Sequence, residues 1–189
     1  TATTGNKNVD GVAGRKQAIV PVYAAKAVFK GCNFYNICDN RGVAAIHYGA
    51  HTAGTMLTVE DSYFEGYAYA IYTRALVSVT NSTFNQTHKS ANPRAIFLYG
   101  LDGNAQGNVV FKNNTAAGKT SYTMEMSSTT YTPSYKKICY DVQGNTNFSV
   151  DGESFVVRLD GKCDFTGTTF AEGSETFVFE EEVPAGDVE

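Results

Sequence analysis

Phe29-Lys30-Gly31-Cys32-Asn33-Phe34, Val59-Glu60-Asp61-Ser62-Tyr63-Phe64 and Val79-Thr80-Asn81-Ser82-Thr83-Phe84 share one form: apolar, any, turn-former, small polar, any, Phe. The form returns degraded at Phe111-Lys112-Asn113-Asn114-Thr115-Ala116, blurred from Val142 through Gly144 and Asn145 to Phe148, and sharp again at Phe165-Thr166-Gly167-Thr168-Thr169-Phe170. A second unit alternates with it, Ala-Ile followed by two mostly apolar residues: Ala18-Ile19-Val20-Pro21, Ala45-Ile46-His47-Tyr48, Ala70-Ile71-Tyr72-Thr73 and Ala95-Ile96-Phe97-Leu98. Weaker echoes are Thr123-Met124-Glu125-Met126, Phe155-Val156-Val157 and Thr176-Phe177-Val178-Phe179. Successive isoleucines lie 27, 25 and 25 residues apart, and the first-unit anchors 30, 20, 32, 31 and 23.

Two periods drifting together in this way are the mark of a stacked architecture. A strand of a few residues cannot bury its apolar face alone, so each must pair with its equivalent one period above and below. The same residue class must then recur at the same interior position. Ile19, Ile46, Ile71 and Ile96 are expected to form one column, and Phe34, Phe64, Phe84 and Phe170 another. Cys32, Ser62, Ser82, Asn114 and Thr168 are expected to be small residues at a tight bend. An antiparallel β-sandwich also accommodates short strands with frequent turns, but it does not require matched columns over six units.

Composition agrees. The 189 residues contain five leucines against 12 Phe and 12 Tyr, with 18 Gly and no composition shift that divides the chain. β-branched and aromatic side chains favour strands, and Gly and Asn favour turns. The expectation is therefore an all-β right-handed parallel β-helix, a solenoid of about six coils with no substantial α-helix. Residues 1–17 are expected to be an irregular segment or incomplete first coil, 18–179 the β-helix repeats, and 180–189 an acidic end or linker. A net charge of -4 argues against a nucleic-acid partner. No apolar run approaches the ~18 residues a helical membrane span requires, so no membrane insertion is expected. The four cysteines have neither zinc nor CxxC spacing. Cys139 and Cys163 either stack as a disulfide or stay as buried thiols.

The units at 29–36, 59–66 and 79–86 resemble the coils of right-handed parallel β-helix proteins, the pectate-lyase-like superfamily, including surface proteins of gut Bacteroidetes that carry such coils. The resemblance covers most of residues 18–179. It implies a secreted or cell-surface protein that handles carbohydrate, as a lyase, hydrolase, esterase, tailspike or adhesin. Catalytic members usually have more coils and a capping helix, which is not visible before Ala18. The chain is thus expected to be part of a longer solenoid or joined to other domains.

Alternation along the second unit places His47, Tyr72 and Phe97 outward, one above another, beside Ala45, Ala70 and Ala95. Such a ladder would form a flat surface on which sugar rings stack, unless another segment or subunit covers it. Arg41, Arg74 and Arg94 lie near these strands, either as clamps for an acidic group or as solvated turn residues. The expected ligand face is His47, Tyr72, Phe97, Arg74 and Arg94, with polysaccharide or glycoconjugate as the partner. No cofactor or metal is expected, because Asp39, Glu60, Asp61 and Glu65 are scattered over turns and no column of acids repeats. His51 and His88 have no neighbouring acid in sequence. The leading expectation is a non-catalytic glycan-binding or adhesion module. The alternative is a polysaccharide lyase or glycoside hydrolase fragment.

Overall fold

The computed structural model describes residues 18–22, 24–36, 44–49, 55–67, 69–86, 94–99, 107–118, 122–127, 137–148, 154–160, 163 and 165–181. Segments 1–17 and 182–189, and with them Cys38, Asp39, Arg41, His51 and His88, lie outside the described residues.

The six-residue form quoted above is split by its own turn. Its first two residues end one strand, and its last two begin another. Three strands therefore recur where the sequence suggested two units, and each type makes its own sheet. Sheet B holds the strands that precede the bend: β2 (Lys26–Lys30), β5 (Met56–Glu60), β8 (Leu76–Thr80), β11 (Gly107–Lys112), β14 (Ile138–Gln143) and β16 (Thr169–Phe170). Sheet C holds those that follow it: β3 (Asn33–Tyr35), β6 (Tyr63–Glu65), β9 (Thr83–Gln86) and β12 (Thr115–Gly118). The Ala-Ile segments make sheet A: β1 (Ala18–Val22), β4 (Ala44–Tyr48), β7 (Tyr69–Thr73), β10 (Arg94–Tyr99), β13 (Tyr122–Ser127), β15 (Ser154–Asp160) and β17 (Thr176–Glu181). All paired strands run parallel, and no helix occurs among the described residues. The protein is all-β, with parallel strands in stacked sheets, an arrangement compatible with a parallel β-helix.

The bend between sheets B and C is set by backbone chemistry. Gly31, Asp61, Asn81, Asn113 and Gly144 all adopt positive φ, between 50° and 64°. Glycine, asparagine and aspartate tolerate this left-handed region best. At Gly144 a Cβ would also meet Asn113 Oδ1 at 2.5 Å, so a larger residue there would have to displace the Asn113 side chain. The residue after each of these builds a hydrogen-bond ladder along the stack. Cys32 N–H donates to Ser62 Oγ (3.2 Å), Ser62 N–H to Ser82 Oγ (3.1 Å), Ser82 N–H to Asn114 Oδ1 (2.9 Å) and Asn114 N–H to Asn145 Oδ1 (3.0 Å). Asn145 N–H points to Glu175 Oε1 at 3.5 Å. The side chains are themselves anchored: the serine hydroxyls donate to Glu60 O and Thr80 O, and the asparagine amides reach Val79 O and Phe111 O. Asn145 and Glu175 thus take the place expected of Thr168. The backbone N–H of Thr168 instead closes a local turn onto Phe165 O.

The interior follows the expected columns over most of its length. Phe34, Phe64 and Phe84 stack at 4.9 and 5.0 Å, with ring planes 6° and 3° apart. Ala116 succeeds Phe84 in register, and the rings of Phe111 and Phe148 close on Phe84 at 5.9 and 6.2 Å. Phe170 does not join this column. It pairs with Tyr140 in sheet B and is 42% exposed, because β16 aligns Thr169 with Cys139 and puts residues 165–170 in a different register from the motif they imitate. In sheet A, Ile46, Ile71 and Ile96 align with Met124, Val157 and Phe179, but the partner below Ile46 is Val20, one residue on from Ile19. Cys139 and Cys163 are both free thiols. Cys139 aligns with Thr169, so the two cysteines do not stack in register.

Two predictions follow from the ladder. Asn114 is fully buried and serves Ser82 N–H and Val79 O together, so Asn114→Ala should cost about 2–3 kcal/mol in denaturant unfolding. Asn113→Gly, one residue away at positive φ, should be neutral or stabilising. Burial also lifts the Glu175 carboxyl above its ordinary value, a rise only partly offset by the hydrogen bonds from Asn145. A carboxyl whose folded pKa is raised favours folding when protonated. That contribution is complete below the unfolded value of about 4.3 and is lost as pH rises through the folded one. Glu175→Gln should therefore unfold at a higher denaturant midpoint than the parent at pH 7, with the gap closing toward pH 4.

Candidate functional site

Sheet A carries a kink that strict alternation does not anticipate. In β7 the burial order is half-buried Tyr69, buried Ala70, buried Ile71, half-buried Tyr72, buried Thr73. Ala45, Ala70 and Ala95 belong to the core together with Ile46, Ile71 and Ile96, so two consecutive residues face inward. The strand ladder passes over these alanines: Tyr69 aligns with Arg94 and Ile71 with Ile96, with no pair recorded between them. The alanines therefore do not floor an outer trough. The same kink returns Tyr69 and Arg94 to the outer face beside Tyr72 and Phe97.

On that face His47, Tyr72, Phe97, Glu125 and Arg158 stand in register on five neighbouring strands. The first three form an aromatic ladder, His47–Tyr72 at 4.7 Å and Tyr72–Phe97 at 5.0 Å between ring centroids. Their planes cross at 84° and 68°, so the ladder is edge-to-face and not the flat platform expected. Edge-to-face contact is one of the two arrangements that ring quadrupoles favour, and offset stacking, adopted by Phe34, Phe64 and Phe84 at the same strand spacing, is the other. Phe97 is 3% exposed, with Tyr69 packed on it at 5.4 Å. The accessible part of the ladder is its His47–Tyr72 end, where both rings are half-buried.

The other half of the column is ionic. Arg94 Nε pairs with Glu125 Oε2, and both side chains are almost fully enclosed. The Arg94 guanidinium also lies 5.2 Å from the centre of the Tyr69 ring, within cation–π range. Arg94 is thus held by a carboxylate and a ring, and it is not the solvated turn residue the sequence allowed. Arg74 follows β7 directly, and its backbone N–H donates to Tyr48 O at 3.2 Å. The structure brings His47, Tyr72, Phe97 and Arg94 onto one face, with Arg74 at the end of the Tyr72 strand. Glu125, which looks isolated in sequence, has Arg94 against it and Arg158 as its register neighbour. Arg158 is not among the site residues expected from the sequence, and the signal for it is its place directly after the Phe155-Val156-Val157 echo. Tyr69 was not, since its orientation depends on the kink.

What the face can do chemically follows from these pairings. The Glu125 charge is matched by Arg94, and among the described residues no group of three His, Cys, Asp or Glu side chains converges. The half-exposed imidazole and phenol offer ring faces and edges together with polar tips.

A buried carboxylate paired with arginine is costly to remove singly and cheaper to remove with its partner. Glu125→Leu should destabilise by about 3–5 kcal/mol, and adding Arg94→Met should recover part of that loss in the same unfolding assay. No protein-family model, no curated protein and no solved structure matches this chain.

Proposed function

We propose that the chain is a right-handed parallel β-helix of about six coils, and that it serves as a secreted or cell-surface, non-catalytic module binding glycan or mediating adhesion through the outer face of sheet A. Each sheet of four or more strands draws its members in chain order from successive circuits, which supports coiling. Parallel crossover connections are right-handed in about 98% of cases, which supports the hand. The observation that carries the functional reading is the aromatic ladder of His47 and Tyr72, half-exposed on a regular strand spacing. Phe97 and Arg94 form the floor behind these two rings, and Arg74 stands at their margin. A sugar ring offers its C–H face to such aromatic edges, and successive units of an extended chain can follow the stack.

Binding to immobilised polysaccharides tests this. At least one glycan should retain the protein saturably, and Tyr72→Ala should weaken retention about tenfold, roughly 1.4 kcal/mol, while the variant still unfolds cooperatively. Absence of retention across the panel would oppose the reading. Release of new reducing ends or unsaturated sugars would replace it with the lyase or hydrolase alternative.

A further inference from the structure

Sheet C carries a second surface, built differently. The register of β3, β6 and β9 aligns Tyr35, Glu65 and Asn85 in one column and Asn33, Tyr63 and Thr83 in another. Alternation sets both columns opposite the buried Phe34, Phe64 and Phe84, so they face outward on the level surface those rings support. Tyr63 Oη donates to Glu65 Oε2 at 2.5 Å. Asn85 Nδ2 donates to that same oxygen at 3.1 Å and to Tyr63 Oη at 3.1 Å. The Tyr35 ring, 37% exposed, leans on Tyr63 with centroids 5.7 Å apart. Glu65 holds the Tyr63 phenol above its ordinary value, so its proton stays in place.

The hydrogen-bond inventory of this cluster is one-sided. The single Tyr63 proton goes to Glu65, and the Asn85 amide donates to Glu65 and Tyr63. What remains on offer is Glu65 Oε1 and Asn85 Oδ1, both acceptors, and the Tyr35 hydroxyl. The side chains that carry the acceptors are already fixed by the internal bonds, so little ordering entropy is left for a ligand to supply. One strand further the column continues as Ala117, whose methyl leaves the surface beside Asn85 low.

We propose that this face of sheet C binds a neutral pyranose unit of a glycan, with adjacent hydroxyls donating to Glu65 Oε1 and Asn85 Oδ1 and a ring face lying on Tyr35. Glu65 Oε1 and Asn85 Oδ1 call for donors on the ligand. A sulfate or uronate brings acceptors and a charge that Glu65 repels. An ammonium group would want opposed ring faces, but Tyr35 and Tyr63 are tilted 48° to each other and enclose no cage. The inference does not depend on the sheet A reading, since the two faces share no residue.

The test is an NMR titration of the ¹⁵N-labelled chain with neutral hexaoses of glucose, mannose, galactose and xylose, and separately with hexagalacturonate and tetramethylammonium. At least one neutral hexaose should produce saturable shifts of the Asn85 side-chain amide and the Tyr35 and Glu65 backbone. Tyr35→Ala should weaken that binding at least tenfold. Glu65→Gln, which turns a donor outward in place of Oε1, should do the same. Tyr72→Ala should leave it unchanged, and each variant should keep the dispersed spectrum of the parent. The proposal is overturned if none of the four neutral hexaoses shifts these signals at millimolar concentration. It is also overturned if hexagalacturonate or tetramethylammonium binds there more tightly, or if neutral binding is lost in Tyr72→Ala and kept in Tyr35→Ala.

Discussion

A bend that turns the chain from one parallel sheet into the next leaves a backbone N–H pointing along the stack, and that amide needs an acceptor. Between sheets B and C the need is met at successive levels by a side chain in the next bend, four times at 2.9–3.2 Å and at the last level by Glu175 at 3.5 Å. A buried amide without a partner costs about 1–3 kcal/mol, so leaving the buried amides of Ser62 and Ser82 open would consume a sizeable part of a domain's stability. The requirement ties distant residues together. Ser62 must carry an acceptor because of Cys32, and Asn114 must carry one because of Ser82. The left-handed residue beside each of them is Gly, Asp or Asn, the types that adopt this conformation at least cost.

This coupling explains why so much of the fold was legible. The turn column Gly31, Asp61, Asn81, Asn113 and Gly144, the ladder column beside it, and the rings of Phe34, Phe64 and Phe84 are each one residue class repeated. The features that escaped the sequence are those where pattern and pairing part company. Residues 165–170 repeat the motif's letters, but β16 pairs with β14 in another register, so Thr168 and Phe170 leave their expected columns. Glu175 takes the last place in the ladder, although a glutamate resembles neither Ser nor Asn by type. The inward turn of Ala45, Ala70 and Ala95 is a backbone kink, and no side-chain period announces it. The Arg94–Glu125 pair joins strands 31 positions apart in sequence, and nothing local links the two residues.

Registered stacking also organises the surfaces. Any outward position becomes a row with one side chain per strand, about 4.8 Å apart. On sheet A that row changes character midway, from the aromatic His47–Tyr72–Phe97 run to the charged pair Glu125 and Arg158. Burial of Phe97 and Glu125, with the buried Arg94 beside them, makes the middle of the row a structural seam and leaves the rings at the His47 end half-buried. Sheet C, with short strands and a level row of phenylalanines beneath, presents Tyr35, Tyr63, Glu65 and Asn85 as a preformed cluster of acceptors and rings. The two faces thus offer different recognition chemistry on one scaffold.

Amide hydrogen exchange at the bends tests the central claim most directly. Ser62, Ser82 and Asn114 follow turn residues, and in an ordinary loop their amides would exchange within seconds to minutes. If the ladder holds the stack together, they exchange only on global unfolding, as slowly as Val59, Val79 and Phe111 in the adjacent strands. Rapid exchange at these three amides, alongside protected strands, would contradict the account.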